Sequence, residues 1–156
     1  LGAVITTREI AEKFANGMEY FNTFGGSQVS SAVGMAVLDV MEKEKLMQNS
    51  FENGRLIKRN LEELKKTFPL IGDVRGEGYF LGLELVLDQE TKEPAPLHAK
   101  YVVERMKSLR ILLSTEGPGH NVIKFKPPMV FNQKDLQKFT VKLEKILGES
   151  PLQINH

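Results

Sequence analysis

Residues 20–34 read Tyr-Phe-Asn-Thr-Phe-Gly-Gly-Ser-Gln-Val-Ser-Ser-Ala-Val-Gly, so Thr23 stands among Asn22, Phe24, Gly25 and Gly26 at the entrance to an apolar helical pattern. A hydroxyl beside backbone N–H groups bared by glycine, close to a helix start, is a donor set that suits a phosphate. The same residues also make an ordinary helix-entry turn, with glycines supplying positive φ and Ser27 as the N-cap. Local rules do not separate the two. A second place is Arg75-Gly76-Glu77-Gly78-Tyr79-Phe80-Leu81-Gly82. A dinucleotide fingerprint needs strand, glycines and then helix, whereas these glycines lead into a strand, so that reading is discarded. Glycines ahead of a strand more often mark a tight crossing of two backbones. Arg75 could grip a carboxylate or phosphate there, or serve a structural salt bridge. The third place is Lys124-Phe125-Lys126. In a strand the two lysines share one side, either guarding an edge against mispairing or facing a ligand anion.

The remaining polar candidates carry little. His98, His120 and His156 lack any metal-ligand spacing, and Ser114 to Gly119 is a turn without a serine-nucleophile context. Lys plus Arg number 21 against 20 for Asp plus Glu, and this balance gives no basic surface for nucleic acid or membrane. There is no cysteine, hence no disulfide framework and no thiolate metal site. No apolar run approaches the roughly 20 residues a membrane helix needs. Leu1-Gly2-Ala3-Val4-Ile5 has no signal-peptide character and reads as a buried strand entered halfway. The expectation is therefore that the sequence is the tail of a longer polypeptide.

The elements that must position these residues follow from periodicity. Thr6-Thr7 can cap a short helix over Arg8 to Phe14. Val29, Ala32, Val33, Ala36, Val37, Val40 and Met41 recur at helical spacing, and a second long helix runs roughly from Ser50 to Thr67, stopped by Pro69. A short apolar segment from Ile71 precedes a strand over Gly78 to Leu87. Leu97 to Leu109 is helical, Ile111 to Leu113 and Val122 to Phe125 read as strands around a loop, and Asn132 caps a last helix over Gln133 to Leu147. This order is α/β to α+β in character, with three or four strands covered by helices.

Taken together, the stretch at 20–46 with Ile71-Gly72-Asp73-Val74-Arg75-Gly76-Glu77-Gly78, Ile111-Leu112-Leu113-Ser114-Thr115-Glu116-Gly117 and Asn121-Val122-Ile123-Lys124-Phe125-Lys126-Pro127-Pro128 resembles the C-terminal portion of class III, fold type I aminotransferases, which use pyridoxal 5′-phosphate (PLP). It is most similar to the alanine–glyoxylate aminotransferase 2-like branch, which includes ethanolamine-phosphate and 5-phosphohydroxy-lysine phospho-lyases. The resemblance implies that residues 1–27 end the large cofactor-binding domain, with the cofactor loop at 20–27. It also implies a linking long helix at 28–50, a C-terminal small α/β domain with a short antiparallel sheet at 51–148, and a tail at 149–156.

The resemblance further implies a homodimer with shared active sites, in which Thr23 reaches the phosphate of the neighbour's PLP while Phe24 and Gly25 shape the turn. Relatives often carry Asn-Pro or Ser-Pro after the two glycines, where this chain has Ser27-Gln28. It places the Schiff-base lysine upstream of Leu1, so residues 1–156 are expected to hold no catalytic residue and to be inactive alone. At the position of Lys124, relatives acting on α-amino acids often carry an arginine that forks a carboxylate. A lysine is a compact charge better matched to phosphate, which tilts the expectation to a phospho-lyase acting on a small amine, with Arg75 a second substrate-side residue. A true aminotransferase of the alanine–glyoxylate type and a non-catalytic truncated dimerisation module are the rival expectations. The compartment suggested by the resemblance is mitochondrial or cytoplasmic.

Overall fold

The structure is a computed structural model that describes residues 1–152, so the last four positions, His156 among them, lie outside the described residues. The chain divides into two compact units, one from Leu1 to Glu44 and one from Lys45 onward.

The first unit holds helix α1, Arg8–Phe14, and helix α2, Gln28–Lys43. Thr7 stands at the N-cap of α1 without a side-chain bond, whereas Ser27 caps α2 by accepting from the Ser30 N–H at 3.4 Å. The edge of the Phe14 ring meets Tyr20 at a centroid distance of 5.7 Å. Neither helix has a buried residue, and the apolar stripe of α2 is exposed, Val29 by 78% and Val33 by 58%. Leu1 to Ile5, expected as a strand, has no regular secondary structure. A strand exists only as part of a hydrogen-bonded ladder, and no other described segment pairs with this one.

The second unit begins where Lys45, at φ +53, breaks the helical path after α2. Helix α3, Leu46–Thr67, therefore starts four residues earlier than its apolar pattern suggested and buries Ile57, Leu61 and Leu64. Then follow β1 (Ile71–Glu77), β2 (Phe80–Leu85), α4 (Pro96–Ser108), β3 (Ser114–Glu116), β4 (Val122–Phe125) and α5 (Gln133–Leu147). The four strands form one antiparallel sheet in the order β1-β2-β4-β3. Alternation sends Val74, Leu81, Leu83, Ile123 and Phe125 to one face, where they join Val102 and Met106 of α4 and Leu136, Phe139 and Leu143 of α5 in a single core. Each fully buried Leu or Ile contributes about 1.5–3 kcal/mol. The result is a two-layer α+β unit, helices on one side of a short sheet.

Two boundaries moved. The strand expected over Gly78 to Leu87 starts at Phe80, because Gly78 and Tyr79 are the two-residue loop of the β1–β2 hairpin, with Gly78 at φ +54. The strand expected at Ile111 to Leu113 lies instead at Ser114–Glu116. The Ile111 N–H is already taken by the Met106 carbonyl at 2.9 Å, closing the end of α4, so a ladder starts only farther on. Helix α5 begins at a full capping box between Asn132 and Asp135. After it, a 3-10 turn at Ser150–Leu152 buries Leu152 against the core. No helix among the described residues is long and apolar enough to cross a membrane.

Candidate functional site

In the first unit, the turn at 23–26 is built by Asn22. Its side-chain oxygen accepts from the Phe24 N–H at 3.0 Å, and its carbonyl accepts from the Gly25 N–H at 3.3 Å. Gly26 follows at φ +73, a conformation that L side chains rarely adopt. Two of the amides that the sequence left open are thus consumed by the turn itself. What remains is the Thr23 hydroxyl and the Gly26 N–H, which make no hydrogen bond among the described residues. The Phe24 ring stands out from the turn, 87% exposed. A hydroxyl and an amide next to the start of a sixteen-residue helix are a donor set that fits a phosphate.

In the second unit, the sheet face away from the core is charged in rows. Register places Arg75 opposite Gly82, Gly82 opposite Lys124 and Lys124 opposite Ser114. Directly paired residues project to the same side, so Arg75 and Lys124 share a face two strand spacings apart, roughly 10 Å. A Cβ at position 82 would lie 3.0 Å from Val122 Cγ1 and 3.8 Å from Arg75 Cγ, so glycine keeps the gap open. Together with Phe80, Glu116 and Val122 these residues line a shallow cavity of about 300 Å³.

Both cations have carboxylate neighbours from the adjacent rows. Arg75 Nη1 donates to Asp73 at 3.0 Å and to Glu84, and the hydrogen bond to Glu84, ahead of that to Asp73, raises its pKa further. Both bonds leave from Nη1, so Nε and Nη2 are left to face another group. Lys124 pairs with Glu116, and that hydrogen bond holds the Glu116 carboxyl below the usual carboxylate range. Half-exposed surface pairs of this kind contribute little to stability, on the order of 0–1 kcal/mol, and they exchange readily for a better anion.

The sequence placed Arg75 and Lys124 at separate sites, and the sheet brings them together. Thr23, Phe24 and Gly25 stand together in the turn of the first unit. Sequence reasoning missed Asp73, Glu84 and Glu116. Asp73 alternates with Arg75 along β1, but Glu84 on β2 and Glu116 on β3 meet their cations only across the ladder, once the register is known. Also missed was a polar clamp behind β4. Asn49 Nδ2 donates to the carbonyls of Met129 and Phe131, both at 2.8 Å, and the Tyr79 hydroxyl donates to the Phe131 carbonyl at 2.7 Å. Asn53 Nδ2 donates to Asn49 Oδ1 at 2.8 Å and fixes that amide's orientation. The clamp holds the Pro127–Phe131 segment that follows Lys124 and Lys126 against α3.

The class-III aminotransferase family model matches residues 1–147. An alanine–glyoxylate aminotransferase 2-like protein of Drosophila melanogaster is 46% identical over 149 residues, which is 94% of this chain and 30% of that protein. The mitochondrial alanine–glyoxylate aminotransferase 2 homolog 2 of Arabidopsis thaliana is 45% identical over 135 residues, 86% of this chain and 28% of that protein. Among solved structures, a phospholyase from Arthrobacter in complex with phosphoethanolamine superposes with a TM-score of 0.85 at 36% identity, over 94% of this chain and 35% of that one. The chain thus spans about a third of the length of the proteins it matches. With the family model matching residues 1–147 and relatives this similar over most of the chain, the chain belongs to the class-III aminotransferases.

Proposed function

We propose that this chain works as the C-terminal part of a PLP-dependent phospho-lyase that acts on a small phosphorylated amine. Enzymes of this family are PLP-dependent, and the bound cofactor supplies an electron sink that acidifies the carbon bearing the amine. The net reaction is β-elimination of phosphate, after which water hydrolyses the released enamine to ammonia and a carbonyl product. Residues 1–27 then close the large cofactor-binding domain, 28–50 link, and 51–148 form the small domain. The enzyme is a homodimer of a mitochondrial or cytoplasmic compartment.

Each site in the chain has a part. The Thr23 hydroxyl and the Gly26 N–H donate to the PLP phosphate of the neighbouring protomer, with Phe24 and Gly25 setting the turn. Lys124 leaves Glu116 for the substrate phosphate, and the free donors of Arg75 help to orient it. No residue of 1–156 is assigned the proton transfer, which belongs to the lysine expected before Leu1. The single observation that carries the substrate class is the pairing of Lys124 with a lone carboxylate beside the open Gly82 gap. A dianion outbids one exposed carboxylate for a lysine, whereas a monoanionic carboxylate only equals it. The likeness to a structure solved with phosphoethanolamine supports the same class.

The test uses the full-length enzyme with phosphoethanolamine and, separately, with 5-phosphohydroxylysine. Inorganic phosphate and ammonia should appear in equal amounts. Transfer of the amino group to glyoxylate with no free phosphate would overturn the lyase reading in favour of an alanine–glyoxylate type aminotransferase, the activity after which the fly relative is named.

A further inference from the structure

Beside the sheet, α5 and the segments on either side of β3 and β4 enclose a cleft of about 490 Å³, a volume suited to one small molecule. Its walls carry Arg110, Lys124, Lys126, Lys138 and Lys142 against one carboxylate, Asp135. Lys124 is balanced by Glu116, and Lys138 reaches Asp135 only at 3.8 Å. Lys142 donates to the Leu109 carbonyl at 2.9 Å, which does not neutralise it. Lys126 lies over the Phe80 ring at 5.8 Å, and no carboxylate among the described residues pairs with Arg110. Cations gathered this way repel one another and raise the local potential for an anion.

The backbone adds an independent sign. Arg110 sits just beyond the end of α4 at φ +63. Its N–H donates to the Lys107 carbonyl and that of Ile111 to Met106, both at 2.9 Å, a helix ending that favours glycine in the left-handed position. An arginine there costs more than a glycine would, and a side chain that binds something is one reason for keeping it. The floor is apolar: Phe125 and Phe139 have ring centroids 4.7 Å apart, and Phe131 packs partly buried beside them.

We propose that this cleft binds a small organic anion: a phosphate or carboxylate held by Arg110 with Lys138, its apolar or aromatic body lying on the phenylalanine floor. The proposal does not rest on the phospho-lyase reading. Lys124 borders both sites, whereas Arg110 lines only this one.

The experiment titrates full-length enzyme with phenyl phosphate and with inorganic phosphate by calorimetry, for the wild type and for Arg110→Gly, Lys138→Gln and Lys124→Ala. Phenyl phosphate should bind more tightly than inorganic phosphate. Arg110→Gly should weaken it about tenfold, the weight of one charge-assisted hydrogen bond, while raising the melting temperature by removing the strain. Lys138→Gln should weaken it as well. Absence of binding, equal affinity in Arg110→Gly, or loss only in Lys124→Ala would overturn the proposal. So would a lower melting temperature in Arg110→Gly, which would mean that the arginine is retained for stability. Phosphate release from phosphoethanolamine is scored separately, so failure of the cleft and failure of the lyase chemistry are distinct results.

Discussion

Gly54 of α3 lies against the backbone of Gly78 in the β1–β2 loop so closely that a methyl group at position 54 would sit 2.3 Å from the Gly78 carbonyl oxygen. This is the backbone crossing that the glycines ahead of β2 foretold, and it fixes where the hairpin carrying Arg75 meets the long helix. In an exposed helix, glycine to alanine gains about 1 kcal/mol from propensity. Here the obstacle is backbone that has nowhere to go, and overpacking of this kind costs about 1–3 kcal/mol. Gly54→Ala should therefore destabilise the fold in urea unfolding. A variant with a higher midpoint would show that the crossing is loose.

The clamp behind β4 predicts an order of effects. Asn49→Ala removes two bonds to carbonyls and leaves Asn53, a residue only 8% exposed, without its acceptor. An unsatisfied buried polar group costs about 1–3 kcal/mol. Tyr79→Phe loses the bond to the Phe131 carbonyl and a long one of 3.4 Å accepted from Asn49, but Asn49 and that carbonyl still bond each other, so its cost should be nearer 1 kcal/mol. Chemical denaturation of the two variants should rank Asn49→Ala as the less stable. The reverse ranking would place the weight of the clamp on the tyrosine.

Glu149 ties the chain end to α4. It accepts from Arg105 Nε at 2.8 Å, from Arg105 Nη2 at 2.6 Å and from the Tyr101 hydroxyl at 2.6 Å. The Arg105 hydrogen bond, followed by that of Tyr101, lowers the Glu149 pKa from 4.5 to about 2. A carboxylate whose folded pKa is depressed stabilises the fold above its unfolded value, and this contribution is lost as the pH falls from about 4.5 toward 2. The wild type should lose more stability across that window than Glu149→Gln, measured as melting temperature against pH. Parallel curves for the two proteins would remove Glu149 from the acid response.

The turn at Thr23 predicts a separation of binding from folding. The hydroxyl has no partner among the described residues, so its removal breaks nothing within the chain. Thr23→Ala in the full-length enzyme should weaken PLP retention about tenfold, one charge-assisted hydrogen bond. The melting temperature of the cofactor-free protein should stay where it was. Unchanged cofactor affinity with a lower melting temperature would make Thr23 a structural residue.

Helices α1 and α5 were legible in the sequence to the residue, because their signals are local: a seven-residue amphipathic run, and Asn132 with Asp135 three positions later. The class and order of the other elements were legible for the same reason. The strand at Val122–Phe125 was legible too, but the position of β3 was not. Whether Ile111 to Leu113 or Ser114 to Glu116 enters the ladder depends on which N–H the end of α4 has already claimed, and that is settled only when the helix packs.

The residue types at the candidate sites, a threonine among glycines, an arginine between glycines and a lysine flanking a phenylalanine, are written in the sequence and carry the family likeness. Tertiary structure alone set Arg75 and Lys124 across Gly82, gave each its carboxylates, and gathered Arg110 with four distant lysines around one apolar floor. Periodicity records which side of its own element a residue faces. Register and packing, which join residues tens of positions apart, decide what it faces there.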